Sequence, residues 1–161
     1  MIRVYPARTL GPPFPMTQAA NKPRVLFLCT GNSCRSQMAE GWLRELGGDR
    51  FEVHSAGIEA HGLNPRAVAS MGQAGVDISA QRSQTLDGFL ADPPDVLVTV
   101  CDRAAATCPS LPAKTEVIRW SFPDPASATG SEEELREVFA RVRDSIRERI
   151  EGWLAGSALT G

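Results

Sequence analysis

The chain has 161 residues, 42% hydrophobic and 22% charged, the proportions of one globular domain rather than of a disordered chain. Lys and Arg number 17 against 19 for Asp and Glu, leaving a net charge of −2, and aromatics make up 6%. With no cationic surplus to neutralise a phosphate backbone and few rings to stack on bases, no nucleic-acid partner is expected.

Residues 1–22 hold Pro6, Pro12, Pro13 and Pro15 and show no periodicity, so an extended or disordered tail is expected there. This stretch lacks the apolar core of a leader peptide, and no apolar run approaches the roughly 20 residues of a membrane span. No membrane partner is expected. The four cysteines are too sparse for a secreted disulfide scaffold, which points to a reducing cytoplasm.

From Val25 the chain reads as a domain over 23–156, with a second tail over 157–161. Val25 to Leu28 form an apolar run ending at Cys29, the mark of a strand buried on both faces. After a turn, Met38, Ala39, Trp42, Leu43 and Leu46 recur at helical spacing until Gly47-Gly48. Phe51, Val53 and Ser55 alternate as a second strand. Asn64-Pro65 is an N-cap with Pro at the first helical position, opening a helix through Val68 and Met71. Val96–Val100 and Val117–Trp120 read as further apolar strands. Ser131 and Glu134 form a capping box before a helix carrying Leu135, Val138, Phe139, Val142, Ile146, Ile150 and Trp153 on one face. Apolar strands alternating with helices predict a single α/β domain: a four-stranded parallel sheet flanked by helices on both faces.

In such a sheet, ligands bind beyond the carboxyl ends of the strands. The turn Cys29 to Ser36 lies there, between a buried strand and a helix start. Its residues Thr30, Gly31, Asn32, Ser33, Cys34, Arg35 and Ser36 read as an oxyanion-binding loop, with N–H groups turned inward and the helix dipole behind them. The same field favours a thiolate at Cys29, while Arg35 can fork two hydrogen bonds onto a tetrahedral oxyanion. Ser36 is placed to donate to the sulfur, and Asn32 tolerates left-handed backbone. No G-K-[ST] follows, which excludes a Walker phosphate loop.

Asp124 follows the fourth strand on the same sheet edge, stiffened by Pro123 and Pro125, where a carboxylic acid can protonate a leaving oxygen. Cys101 ends the third strand, and Asp102–Thr107 favours a helical turn before Cys108-Pro109. Seven helical residues at about 1.5 Å each hold the two Cα atoms about 10 Å apart, whereas a disulfide requires roughly 4.4–6.8 Å. The pair can therefore oxidise only if the segment unwinds, the behaviour of a redox switch. A core cysteine beside an incidental surface one is the bland alternative. A zinc site is disfavoured because C-x4-C and C-x6-C are not knuckle spacings. His54 and His61 read as structural or surface residues, and Ser55 as packing beneath the loop.

The segment Val25–Gly41 closely resembles the thioredoxin-coupled arsenate reductases, which share the fold of the low-molecular-weight protein tyrosine phosphatases. The likeness continues through His54–Gly62, Asn64-Pro65, Val98–Cys101, Cys108-Pro109 and Phe122–Pro125, and spans about residues 24–154. It implies arsenate as substrate, phosphate and sulfate as inhibitory oxyanions, thioredoxin as reductant, no bound cofactor, and a monomer. It also implies the roles: Cys29 attacks arsenate held by the loop and Arg35, and Asp124 protonates the departing oxygen. Cys101 then resolves the adduct and Cys108 draws the disulfide to Cys101–Cys108 for export. Cys34 has no step in this scheme.

Family members that bind potassium beside the loop carry Asn and Ser at the positions of Asn32 and Ser55. They carry Thr and Asp where this chain has Arg82 and Gln84, so a potassium site is doubtful and the Arg82 guanidinium is expected to fill that charge position. The alternative reading is a low-molecular-weight protein tyrosine phosphatase using Cys29, Arg35 and Asp124. Against it stand Gln37, where those phosphatases carry Pro, Ala126-Ser127 in place of aromatic residues, and a sole tyrosine, Tyr5, in the tail. A non-catalytic oxyanion or thiol sensor is a third reading, with no partner surface evident in the sequence.

Overall fold

The computed structural model describes residues 22–156. The tails expected over 1–22 and 157–161 therefore lie outside the described residues, Lys22 apart. Strands β1 (Arg24–Cys29), β2 (Glu52–Gly57), β3 (Val96–Thr99) and β4 (Glu116–Arg119) form one parallel sheet in the order β2-β1-β3-β4. The helices are α1 (Arg35–Gly47), α2 (Pro65–Gln73), α3 (Asp102–Thr107) and α4 (Glu132–Gly156).

The central position of β1 follows from its composition. Val25, Leu26, Phe27 and Leu28 are all fully buried, so both faces of this strand are covered and every side chain there must be apolar. The expected apolar character of β4 does not hold. Glu116, Val117 and Arg119 are exposed, because among the described residues β4 is an edge strand paired with β3 alone. Its buried anchor, Trp120, stands one residue beyond the strand, packed between Phe27 and Trp153.

Helix ends form where the side chains can close them. Asn64 Oδ1 accepts from the Arg66 amide, and Ser131 and Glu134 bond each other's backbone N–H reciprocally at 3.1 and 2.8 Å. Gly48 ends α1 at φ 57°, a conformation glycine adopts without a Cβ penalty. Phe139, Val142, Ile146 and Ile150 of α4 are buried as the stripe predicts. α1, α2 and α4 lock together through polar ties: Trp42 Nε1 donates to the Arg143 carbonyl, and Arg143 Nη1 donates to that of Ser70.

This packing fixes the site. β1, β3 and β4 all deliver their carboxyl ends to one edge of the sheet, where Cys29, Cys101 and the Ser121–Asp124 segment emerge.

Candidate active site

The turn between β1 and α1 has the form of a cup because a second loop holds its carbonyls. The amides of Ile58, Glu59, His61 and Asn64 donate to the carbonyls of Cys29, Thr30, Gly31 and Ser33, at 2.8–3.1 Å. With those carbonyls turned outward, the amides of Gly31 to Arg35 have no acceptor among the described hydrogen bonds. Such a ring of N–H groups at a helix N-terminus is a seat for an anion. Close approach of the two loops depends on Gly57, where a Cβ would meet the Glu59 and Thr30 carbonyls and the Asn32 amide nitrogen at 2.2–2.9 Å.

Asn32 is the keystone: fully buried, at φ 47°, and the one non-glycine residue with positive φ among those described. Its Nδ2 donates to Ser36 Oγ at 2.8 Å and Ser55 Oγ at 3.0 Å, and its Oδ1 accepts from the Gln84 amide at 2.8 Å. Gln37 Nε2 donates to the Asn32 carbonyl and to that of Arg82. These bonds offset the cost of the left-handed backbone.

Cys29 is 2% exposed, and its Sγ lies 2.8 Å from Ser36 Oγ. Because Ser36 Oγ accepts from Asn32, its own proton is free to be donated to the sulfur. Ser55 does lie beneath the loop, joined to Asn32 on one side and donating to Glu40 Oε1 at 2.6 Å on the other. Arg35 is held by the segment after β4: Nη1 donates to the Phe122 carbonyl at 3.1 Å. Asp124 caps the short turn Pro125–Ser127 by accepting from the Ala126 amide, and its Oδ2 faces the guanidinium. Thr30, Arg35, Cys101, Ser121, Phe122 and Asp124 line one open cleft.

Cys101 sits at the lip of this cup, Sγ 3.5 Å from Thr30 Oγ1, and forms the N-cap of α3 by accepting from the Ala104 amide at 3.4 Å. Cys108 forms the C-cap, so the expected helix stands between them. All four cysteines are free. Burial pushes the Cys108 thiol up from its ordinary value while the Arg119 charge draws it back. Burial likewise pushes Cys34 up to about 11, opposed by its hydrogen bond from Ser33, so Cys34 stays a neutral thiol at physiological pH.

His54 and His61 each pair with a neighbouring glutamate, Glu52 at 2.8 Å and Glu59 at 2.6 Å, outside the cup. The Arg82 expectation is corrected. Its side chain is exposed and its carbonyl is what the loop uses, while the guanidinium that meets the buried charge belongs to Arg44, 2.5 Å from Glu40 Oε2. This arrangement disfavours a potassium ion: the Arg44 guanidinium holds the Glu40 charge, and Asn32 Oδ1 and the Ser55 carbonyl each accept from Gln84.

Sequence reasoning missed Glu40, Arg44 and the Phe122 carbonyl. The first two had a signal, since Ser36, Glu40 and Arg44 fall every fourth residue of α1 and so share one face. A backbone carbonyl leaves no such trace.

Known proteins carry the same framework. An arsenate reductase of Halalkalibacterium halodurans is 55% identical over 130 residues, 81% of this chain and 94% of that protein. One from Bacillus subtilis is 52% identical over 126 residues, covering 78% and 91%. A solved arsenate reductase in the phosphate binding state superposes with a TM-score of 0.68 at 36% identity, covering 83% of this chain and 97% of that one. Residues 24–160 match the low molecular weight phosphotyrosine protein phosphatase family, and the chain belongs to that family.

Proposed function

We propose that this protein reduces arsenate to arsenite through a Cys29, Cys101, Cys108 thiol relay regenerated by thioredoxin. The observation that carries the reading is the second thiol at the lip of the cup, Cys101 Sγ beside Thr30 Oγ1, with a third at the far end of α3. Hydrolysis of a phosphoester needs neither. The arsenate reductases named above support the choice of substrate.

In this reading the loop amides and Arg35 seat arsenate against Cys29. The Cys29 thiolate forms an S–As bond as an oxygen leaves as water, its proton supplied by Asp124. The Cys101 thiolate then attacks Cys29 Sγ, and the S–As electron pair stays on arsenic. Arsenic is thereby reduced by two electrons and released as arsenite, and the two thiols are oxidised to a Cys29–Cys101 disulfide. Cys108 attacks Cys101, restores the Cys29 thiolate and leaves a Cys101–Cys108 disulfide for thioredoxin to reduce. Opening of α3 is required for that last bridge, and it also frees Cys108 from the burial that holds it protonated. The relay starts from three reduced thiols, the state that a reducing cytoplasm maintains.

The test is arsenate-dependent NADPH oxidation with thioredoxin and thioredoxin reductase. Wild type should turn over. Cys29→Ser should be inert, Cys101→Ser should stall at the arsenic adduct, and Cys108→Ser should stop after one turnover as the Cys29–Cys101 disulfide. No arsenate-dependent oxidation by wild type, or sustained turnover by Cys108→Ser, refutes the assignment.

A further inference from the structure

A continuous line of hydrogen bonds runs from the protein surface to the nucleophile. Arg44 Nη2 meets Glu40 Oε2 at 2.5 Å, Ser55 Oγ donates to Glu40 Oε1 at 2.6 Å, and Asn32 Nδ2 donates to Ser55 Oγ at 3.0 Å. The other Asn32 proton reaches Ser36 Oγ at 2.8 Å, and Ser36 lies 2.8 Å from Cys29 Sγ. We propose that Arg44 is a positioning residue for Cys29, its guanidinium serving as the built-in cation that anchors the far end of this line in place of a bound metal ion. The proposal rests on Cys29 being the nucleophile.

The polarity of the line gives the reason. An ionised carboxylate only accepts, so Ser55 must donate to Glu40 and must accept from Asn32. That leaves Asn32 with one proton for each serine and Ser36 with its proton for the sulfur. A neutral Glu40 can donate instead, and the constraint is lost. Glu40 sits 7% exposed, and burial raises its carboxyl above the ordinary value even against the Ser55 hydrogen bond and the Arg44 charge. The ionised form therefore depends on a nearby cation.

Arg44 fills that need from within the fold. It is half-exposed, and Nη2 also donates to the Val53 carbonyl at 2.8 Å, while Nη1 reaches Gln81 Oε1 at 3.3 Å. Glu40 and Arg44 line a second cleft, whose other charged groups are Glu45, His54, Asp77 and Arg82. His54 is engaged by Glu52, and the Arg82 guanidinium makes no ion pair among the described residues.

The experiment compares wild type, Arg44→Ala, Arg44→Lys, Glu40→Gln and the Arg44→Ala/Glu40→Gln double variant, with circular dichroism confirming the fold of each. Two readings are taken: arsenate turnover, and the rate of Cys29 alkylation by iodoacetamide at neutral pH, located by fragment-ion mass spectrometry. Arg44→Ala should lower both kcat and the alkylation rate about three- to tenfold, the scale of one ordinary hydrogen bond, with KM for arsenate nearly unchanged. Arg44→Lys, or low guanidinium chloride added to Arg44→Ala, should restore both, and Arg44→Ala should add no further loss on top of Glu40→Gln. Wild type should respond equally to potassium and sodium chloride. Wild-type alkylation rates in Arg44→Ala, losses that simply add in the double variant, or acceleration of wild type by potassium overturns the proposal. Alkylation needs no arsenate, so absent arsenate turnover would sink the functional reading alone.

Discussion

Arg35 Nη2 stands 3.9 Å from Asp124 Oδ2, too far to be a hydrogen bond and close enough for the charges to attract. The guanidinium is held instead by the Phe122 carbonyl, and the Asp124 carboxyl lines the cleft beside it. Asp124→Asn keeps the cap on the Ala126 amide and removes the acid. We expect it to slow formation of the arsenic adduct about 10²-fold or more while arsenate binding changes little. Single-turnover quench, with the adduct read by mass spectrometry, measures this; an unchanged rate would remove Asp124 from the reaction.

Asn32 carries both a left-handed backbone and the hydrogen bonds of the loop, and two substitutions separate these. Asn32→Gly keeps φ 47° at no steric cost and loses the side-chain bonds, whereas Asn32→Ala loses both. Both should be destabilised in urea, Asn32→Ala by about 1 kcal/mol more than Asn32→Gly. Equal midpoints would show that the conformation is not a burden.

The two loops of the site meet at glycines of unequal tolerance. A methyl at Gly57 strikes only backbone atoms, while one at Gly31 strikes the ring of His61, an exposed side chain that can swing away. Gly57→Ala should cost about 3 kcal/mol, and Gly31→Ala less than about 1 kcal/mol. Thermal unfolding of the pair decides it, and the reverse order would mean that His61 is fixed.

Cys34 sets an alkaline limit on stability. Its folded-state value of about 11 lies above the ordinary 9.0, so above pH 9 the unfolded chain binds fewer protons than the folded one. The stability Cys34 contributes is whole below pH 9 and falls between pH 9 and 11, by about 2–3 kcal/mol in all. Under reducing conditions the urea midpoint of wild type should fall more steeply over that window than that of Cys34→Ala. Parallel curves would contradict the assignment.

Oxidation in the proposed relay must open α3. After one arsenate turnover without thioredoxin, hydrogen exchange over Asp102–Thr107 should accelerate at least about tenfold, while exchange in α4 stays as it was. Protection retained in α3 would mean that the bridge forms within the folded helix.

Much of this was legible in the sequence because it is local. The apolar run ending at Cys29, the small-residue turn and the helix start lie within twenty residues, and strand and cap chemistry alone place them together. The Ser131–Glu134 box and the α3 spacer are local in the same way. What escaped depends on sequence-distant pairing. Nothing near Arg44 says that its guanidinium meets Glu40 beneath Ser55 of the neighbouring strand, and the guess of Arg82 was drawn from a position in the chain rather than from space. The polar character of β4 was missed because an edge strand is defined by the partner it lacks.

α3 has six residues, too few to hold a helix alone in water, and its first turn is tied by Ala104 N–H to Cys101 Sγ. In the proposed relay that sulfur becomes part of a disulfide, and the tie goes with it. Electron transfer and helix release are then one event at one atom: the protein needs no separate signal to present its oxidised pair, and reduction itself rewinds the helix and withdraws the thiols.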